Sequence, residues 1–201
     1  MWIKICGITS AEARDAALEQ RVDAVGFVFA ASARRLEPNV AAQLAAGVRG
    51  RCACVAVMRH PSQALLDEVL ALVRPDLLQS DAADLLHLKL PATLACLPVL
   101  RALPAAGAPL PARVLFEGAQ SGSGQPSDWP AAATLARRTD LVLAGGLNAG
   151  NVGAAIAAVR PFGVDVSSGV ERTPGVKSPA AIAAFVHSAR AAARALSEEN
   201  P

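Results

Sequence analysis

A chain of 201 residues with 53% hydrophobic content is long enough for one sizeable core. A net charge of +2 with acids and bases interspersed, and only 3% aromatic residues, gives neither a basic stripe nor a stacking surface, which argues against nucleic-acid binding. The apolar runs are broken by charge or Pro before the roughly 20 residues that a membrane-spanning helix needs, and no targeting segment is legible ahead of the first strand, so the expected location is the cytoplasm.

The elements alternate strand, loop, helix. Ile3 and Ile5 are β-branched and begin a strand ending at Cys6-Gly7. Thr9 and Glu12 have the spacing of a capping box for a helix over residues 10–20. A mostly apolar run at 23–29 reads as a strand buried on both faces. A loop with Ser32, Arg34 and Arg35 follows, and Pro38 suits the first turn of the second helix. The third strand spans 53–58. Pro61 opens a helix with an apolar stripe of Leu66, Val69 and Val73, and the fourth strand spans 77–79.

The middle is less regular. A weak helix is expected over 82–90 and a short strand over 97–100. Pro104, Pro109, Pro111 and Gly107 then nearly exclude a fifth helix. The sixth strand runs over 113–117, and a Gly/Ser loop at 118–127 is long enough to close over a ligand. Asp128 reads as the cap of the sixth helix. Leu141-Val142-Leu143-Ala144-Gly145-Gly146 is the seventh strand with its loop. Asn148 or Asn151 can cap the seventh helix, and 162–166 is the eighth strand. A short helix near 170–172 precedes the last helix, which starts at Ser178-Pro179 with Ile182, Phe185, Val186 and Ala189 on one face. The pattern predicts one α/β domain over residues 1–201, a closed (β/α)8 TIM barrel whose fifth helix is replaced by a Pro-rich loop. An open doubly wound sheet is the alternative, disfavoured by the lack of GxGxxG after the first strand.

In parallel α/β folds, chemistry sits where strands end. Cys6 lies at such a junction, and it is either a ligand-facing thiol or a small core residue. Gly145, Gly146, Ser167, Ser168 and Gly169 occupy the loops after the seventh and eighth strands, where backbone N–H groups and hydroxyls can hold a phosphate. The alternative is that they form tight turns. Arg35 can bind a carboxylate bidentately, whereas Arg34 reads as a solvated charge. For Lys177 a surface role is as open as a functional one. Glu117 ends the sixth strand, and Asp165, within the eighth, faces the interior. A thiol and a carboxylate at one mouth with a phosphate anchor form an acid/base pair for a small phosphorylated substrate. Cys52 and Cys54 point to one face of a strand and, with no close histidine, read as structural thiols. No metal and no cofactor is expected.

Lys4-Ile5-Cys6-Gly7-Ile8-Thr9, Gly26-Phe27-Val28-Phe29, Leu143-Ala144-Gly145-Gly146-Leu147-Asn148 and Gly163-Val164-Asp165-Val166-Ser167-Ser168-Gly169-Val170-Glu171 are followed by Pro174-Gly175-Val176-Lys177. Together they closely resemble the phosphoribosylanthranilate isomerase family of tryptophan biosynthesis. The resemblance spans the chain. It implies an Amadori rearrangement of N-(5-phospho-β-D-ribosyl)anthranilate: an acid protonates the furanose oxygen, the ring opens to a Schiff base, and a base removes the C2′ proton. It implies Cys6 as base with its pKa lowered by the helix that follows, and Arg35 as the anthranilate-carboxylate anchor. Gly146, Ser167, Ser168 and Gly169 are implied as the phosphate loops and Asp165 as a lining acid. Family members occur as monomers and homodimers.

Three places depart from the family pattern. The acid after the sixth strand is Glu117 rather than Asp, with Asp128 as the reserve. A His-Gly after the fourth strand is replaced by Ser80-Asp81, and the third strand ends in Met58-Arg59-His60. These changes leave two other readings: a non-catalytic phosphosugar-binding barrel, and an enzyme for a related ribosylamine phosphate.

Overall fold

The structure, a computed structural model, describes residues 1–105, 107–118 and 127–198. Eight parallel strands close in sequence order into a barrel. They are β1 (Trp2–Cys6), β2 (Ala24–Val28), β3 (Ala53–Val57), β4 (Leu77–Asp81), β5 (Ala95–Leu100), β6 (Arg113–Phe116), β7 (Asp140–Leu143) and β8 (Gly163–Val166). Closure runs through β1 and β8, with Lys4 opposite Asp165. Outside lie α1 (Ala11–Glu19), α2 (Pro38–Ala46), α3 (Gln63–Val73), α4 (Trp129–Ala136), α5 (Val152–Val159) and α6 (Pro179–Glu198). The barrel, and not the open sheet, is what the alternating pattern specifies. Among the described residues, no helix is long and apolar enough to cross a membrane.

Strand alternation divides the apolar residues into two cores. Outward-facing Ile3, Ile5, Val25, Phe27, Leu78, Val114, Leu141 and Val164 pack under the helices with Ile156, Ile182 and Phe185. Inward-facing Leu97, Val99, Leu115, Val142 and Ala144 fill part of the barrel interior, with Trp2 and Leu77 packed against them. The other inward positions near β1 are polar: Lys4, Cys6 and Asp165 are all buried. This asymmetry positions the site. One side of the interior is oil, and the other holds charge.

Local signals differ from expectation in several places. Ser10, not Thr9, caps α1, accepting from the Ala13 N–H at 3.2 Å, while Thr9 Oγ1 donates to the Gly175 carbonyl at 2.7 Å. Ser62 caps α3, so Pro61 lies outside the helix. The expected fourth helix is a single 3-10 turn over Asp84–Leu86, and the described residues of 101–112 form no helix. Asp128 caps α4 as expected, accepting from Ala131 N–H at 2.9 Å. In place of a short helix at 170–172 there is a 3-10 turn over Ser168–Val170 and then a hairpin, β9 (Glu171–Thr173) with β10 (Val176–Lys177). Gly175 makes that hairpin turn at φ +84, and a Cβ there would stand 2.4 Å from the Ala33 carbonyl oxygen, so Ala would be both strained and obstructed. Residues 119–126 of the long Gly/Ser loop lie outside the described residues.

Candidate active site

A cavity of about 190 Å³ opens at the C-terminal ends of the strands, the end where βα loops carry function in such barrels. Cys6, Glu117, Asp165, Gly145, Gly146, Ser167 and Ser168 all line it. The structure therefore brings most of the expected site residues together from four strands. Gly169 stands exposed at the rim and does not line the cavity. A Cβ there would stand 1.9 Å from the Leu147 carbonyl oxygen, so this glycine lets the loops after β7 and β8 touch. Gly145 and Gly146 have φ values of +89 and +65, conformations that suit a loop presenting its backbone to an anion.

Arg35 does not line the cavity. Its side chain is about half exposed and pairs with exposed Glu37 at 3.2 Å, away from the cavity. Arg34 lines the cavity instead. The backbone decides: residue 35 forms an isolated bridge with Val28, and neighbouring side chains in extended chain point opposite ways. Arg34 donates from Nε and Nη2 to the two Glu171 oxygens at 2.7 and 2.8 Å. Gly7, at φ +75, makes room for it, since a Cβ there would stand 2.6 Å from Arg34 Cδ. Sequence adjacency concealed this choice between two arginines. The glycine and the acid that select one of them are distant in the chain.

Lys177 is not a surface residue. Its side chain is fully buried, and Nζ donates to Glu171 Oε1 at 2.8 Å and to the Ser167 carbonyl at 2.9 Å. Burial pulls Lys177 down from its ordinary value, against the pull of Glu171. Glu171 is held below its ordinary value: burial pushes it up, but hydrogen bonds from Arg34 and Lys177 outweigh that. The Ser167 hydroxyl donates to the Cys6 carbonyl at 3.1 Å, tying the β8 loop to the end of β1.

Cys6 departs from expectation electrostatically. Its pKa is raised, not lowered, because burial outweighs the favourable charges of Lys4 and Lys177, and Asp165 adds to the rise. Lys4 Nζ donates to Asp165 Oδ1 at 2.9 Å within the barrel. Cys52 and Cys54 lie outside the cavity, and burial pushes them up to about 11 and about 12.

Across the mouth, Arg101 bridges Asp81 and Glu117, with Nη2 at 2.7 Å from Glu117 Oε1. Arg59, half exposed, reaches Asp81 at 3.7 Å. His60, Asp81 and Asp84 come close enough to offer a cation three ligands. Both Asp84 oxygens, however, already accept from the His60 backbone N–H, its ring or the Ser80 hydroxyl, and two arginines face Asp81. This is a hydrogen-bonded charge network. It replaces the expected His-Gly pattern, and single-residue reading did not find Arg101. Asp128, exposed and engaged as a helix cap, does not reach the cavity.

The same fold recurs in known proteins. A family model described as N-(5'phosphoribosyl)anthranilate (PRA) isomerase matches residues 3–188. An N-(5'-phosphoribosyl)anthranilate isomerase of Mesorhizobium japonicum is 39% identical over 94% of this chain and 95% of its own. Among solved structures, TrpF from Jonesia denitrificans superposes with a TM-score of 0.77 at 34% identity, covering 96% of this chain and 98% of its own. Phosphoribosyl anthranilate isomerase from Thermotoga maritima gives 0.81 at 29%, covering 95% and 99%. Sequence match from the first strand into the last helix, with the barrel and mouth built from those residues, places this chain in the N-(5'-phosphoribosyl)anthranilate isomerase family.

Proposed function

We propose that the protein isomerises N-(5-phosphoribosyl)anthranilate to 1-(2-carboxyphenylamino)-1-deoxyribulose 5-phosphate in tryptophan biosynthesis. One observation carries this reading: a buried thiol, Cys6, and a carboxylate, Glu117, line one cavity with the Gly145–Gly146 and Ser167–Ser168 loops. A related structure at 28% identity and TM-score 0.79 was solved with reduced 1-(o-carboxyphenylamino)-1-deoxyribulose 5-phosphate.

In this reading Glu117 protonates the ring oxygen and the ring opens to a Schiff base. Cys6, as thiolate, removes the C2′ proton, and the enol-amine tautomerises to the ketone. Each group contributes on the order of 10²–10⁴ in rate. The phosphate lies against Gly145, Gly146 and Ser168, with Ser167 holding the loop to β1 and Gly169 allowing the close loop contact. Asp165 lines the floor. The aryl ring lies along the apolar wall of Val28, Ala30, Ala31 and Met58, with Arg34 and Arg59 beside it for the carboxylate. Arg34 thus takes the part expected of Arg35. Glu117 donates a proton only after releasing Arg101, so substrate entry must exchange that ion pair.

The test is loss of substrate fluorescence on adding the protein to freshly made phosphoribosylanthranilate. Turnover that disappears in Cys6→Ala supports the reading, and absence of turnover by the wild type overturns it in favour of a phosphosugar-binding barrel. Glu117→Gln should lower kcat far more than Asp128→Asn, and the reverse order would remove Glu117 from the acid's role.

A further inference from the structure

Lys4 has no structural reason to be an ion. Its side chain is fully buried in the barrel and has one carboxylate partner, Asp165, 2.9 Å away and itself buried. Enclosing such a pair carries a desolvation penalty for each ion, and well-packed apolar residues of similar volume are often as stable or more so. The position of Lys4 is more informative. Lys4 and Cys6 are two apart on β1, so both side chains point inward. Gly26 on β2 lies against both: a Cβ there would stand 3.1 Å from Cys6 Sγ and 3.2 Å from Lys4 Cε. The ammonium stem and the thiol therefore share one floor, which a larger residue would break.

The other charges around Cys6 are already committed. Arg34 and Lys177, from the β2 loop and β10, both bind Glu171 of β9. Arg101 of the β5 loop bridges Asp81 of β4 and Glu117 after β6 across the cavity. Asp165 of β8 opposes a negative sulfur.

We infer that Lys4 is the counter-ion of the Cys6 thiolate, a positioning residue that sustains the base without touching substrate. Cys6 releases its thiol proton to solvent. The thiolate then takes the C2′ proton of the substrate and returns it to C1′ as the enol-amine becomes the ketone, while the enol hydroxyl proton passes to the Glu117 carboxylate that gave its own to the ring oxygen; Lys4 keeps its own protons throughout. Asp165 fixes the ammonium and sets how much of its charge the sulfur receives. Burial pulls Lys4 down, but Asp165 and Cys6 more than compensate, so it stays charged.

The inference rests on the proposed activity only for its kinetic arm. Its direct test is iodoacetamide alkylation of Cys6 against pH in the full chain, followed by mass spectrometry of the Cys6 peptide. Lys4→Met should raise the alkylation midpoint by about one pH unit, a tenfold loss of thiolate below the midpoint. Lys4→Arg should restore most of it, and kcat should fall in step with unchanged KM. If Lys4→Met does not fold, Lys4→Met/Asp165→Asn measured against Asp165→Asn alone reads the same shift without an unpaired buried carboxylate. An unmoved midpoint in the folded variant overturns the inference. A moved midpoint in a protein whose wild type does not turn over would uphold the Lys4–Cys6 pairing and remove the activity.

Discussion

At the scale of single residues, the site depends on which of two neighbours faces inward. Arg34 and Arg35 are chemically identical, yet Arg34 is held by Glu171 against the cavity and Arg35 lies about half exposed beside Glu37. Arg34→Met should therefore raise KM for phosphoribosylanthranilate about tenfold or more, the scale of one lost charge-assisted hydrogen bond. Arg35→Met should leave both kinetic constants within about twofold, as is usual for an exposed side chain away from a site. Steady-state fluorescence kinetics on the two variants separate these outcomes. The glycines and serines of the last two loops were legible because their chemistry is local. That Arg34 rather than Arg35 lines the cavity was not legible, because the choice is made by Gly7, Val28 and Glu171, none of them its neighbour in sequence. The same holds for Lys177. Pro174-Gly175 signalled a turn, but only its contacts with Ser167 and Glu171 show a buried cation.

At the scale of elements, the β9–β10 hairpin fastens three loops of the barrel mouth. Thr9 after β1 bonds to Gly175, Ala33 after β2 packs on the same glycine, and Lys177 bonds to Ser167 after β8. Glu171 is its centre, accepting from Arg34 and Lys177. Glu171→Gln leaves the buried Lys177 ammonium uncompensated. The expected loss is about 3 kcal/mol, a fall in Tm of about 6–12 °C for a chain of this size. The pH dependence has a definite sign. The Glu171 pKa is below its unfolded value of 4.5, so its contribution is complete above that pH and is lost as pH falls through the native value. Thermal melts of the two proteins should differ most near neutrality and converge as the pH falls below 4.5 and through the lowered native value. Strand and helix order was readable because buried β-branched runs and caps are local signals. The hairpin escaped because two- and three-residue strands carry no periodicity. A second prediction belongs to this scale. Gly169→Ala places a methyl 1.9 Å from the Leu147 carbonyl oxygen. It should separate the loops after β7 and β8 and weaken inorganic phosphate binding, measured by calorimetry, with Cys6 alkylation unchanged.

At the scale of the molecule, stability and chemistry occupy different cores. The outer core between strands and helices contains the large buried apolar side chains Phe27, Phe116, Phe185 and Leu66. The interior is divided between the small apolar cluster of β5–β7 and the Lys4–Cys6–Asp165 group of β1 and β8. If that group serves reaction rather than folding, replacing its ions by apolar residues should strengthen the barrel. Lys4→Met/Asp165→Leu removes both charges together, so neither is left unpaired. By analogy with other buried pairs exchanged for hydrophobic residues, stability should be unchanged or higher by about 1–4 kcal/mol. Lys4→Met alone should be less stable than either, because the Asp165 carboxylate would remain in the interior without its partner. Denaturant unfolding of the three proteins orders them, and turnover by the double variant should fall about tenfold, in step with the thiolate lost with Lys4. A double variant less stable than the wild type would mean that the pair holds the barrel closed between β1 and β8. The polar half of the interior would then belong to the fold as much as to the site.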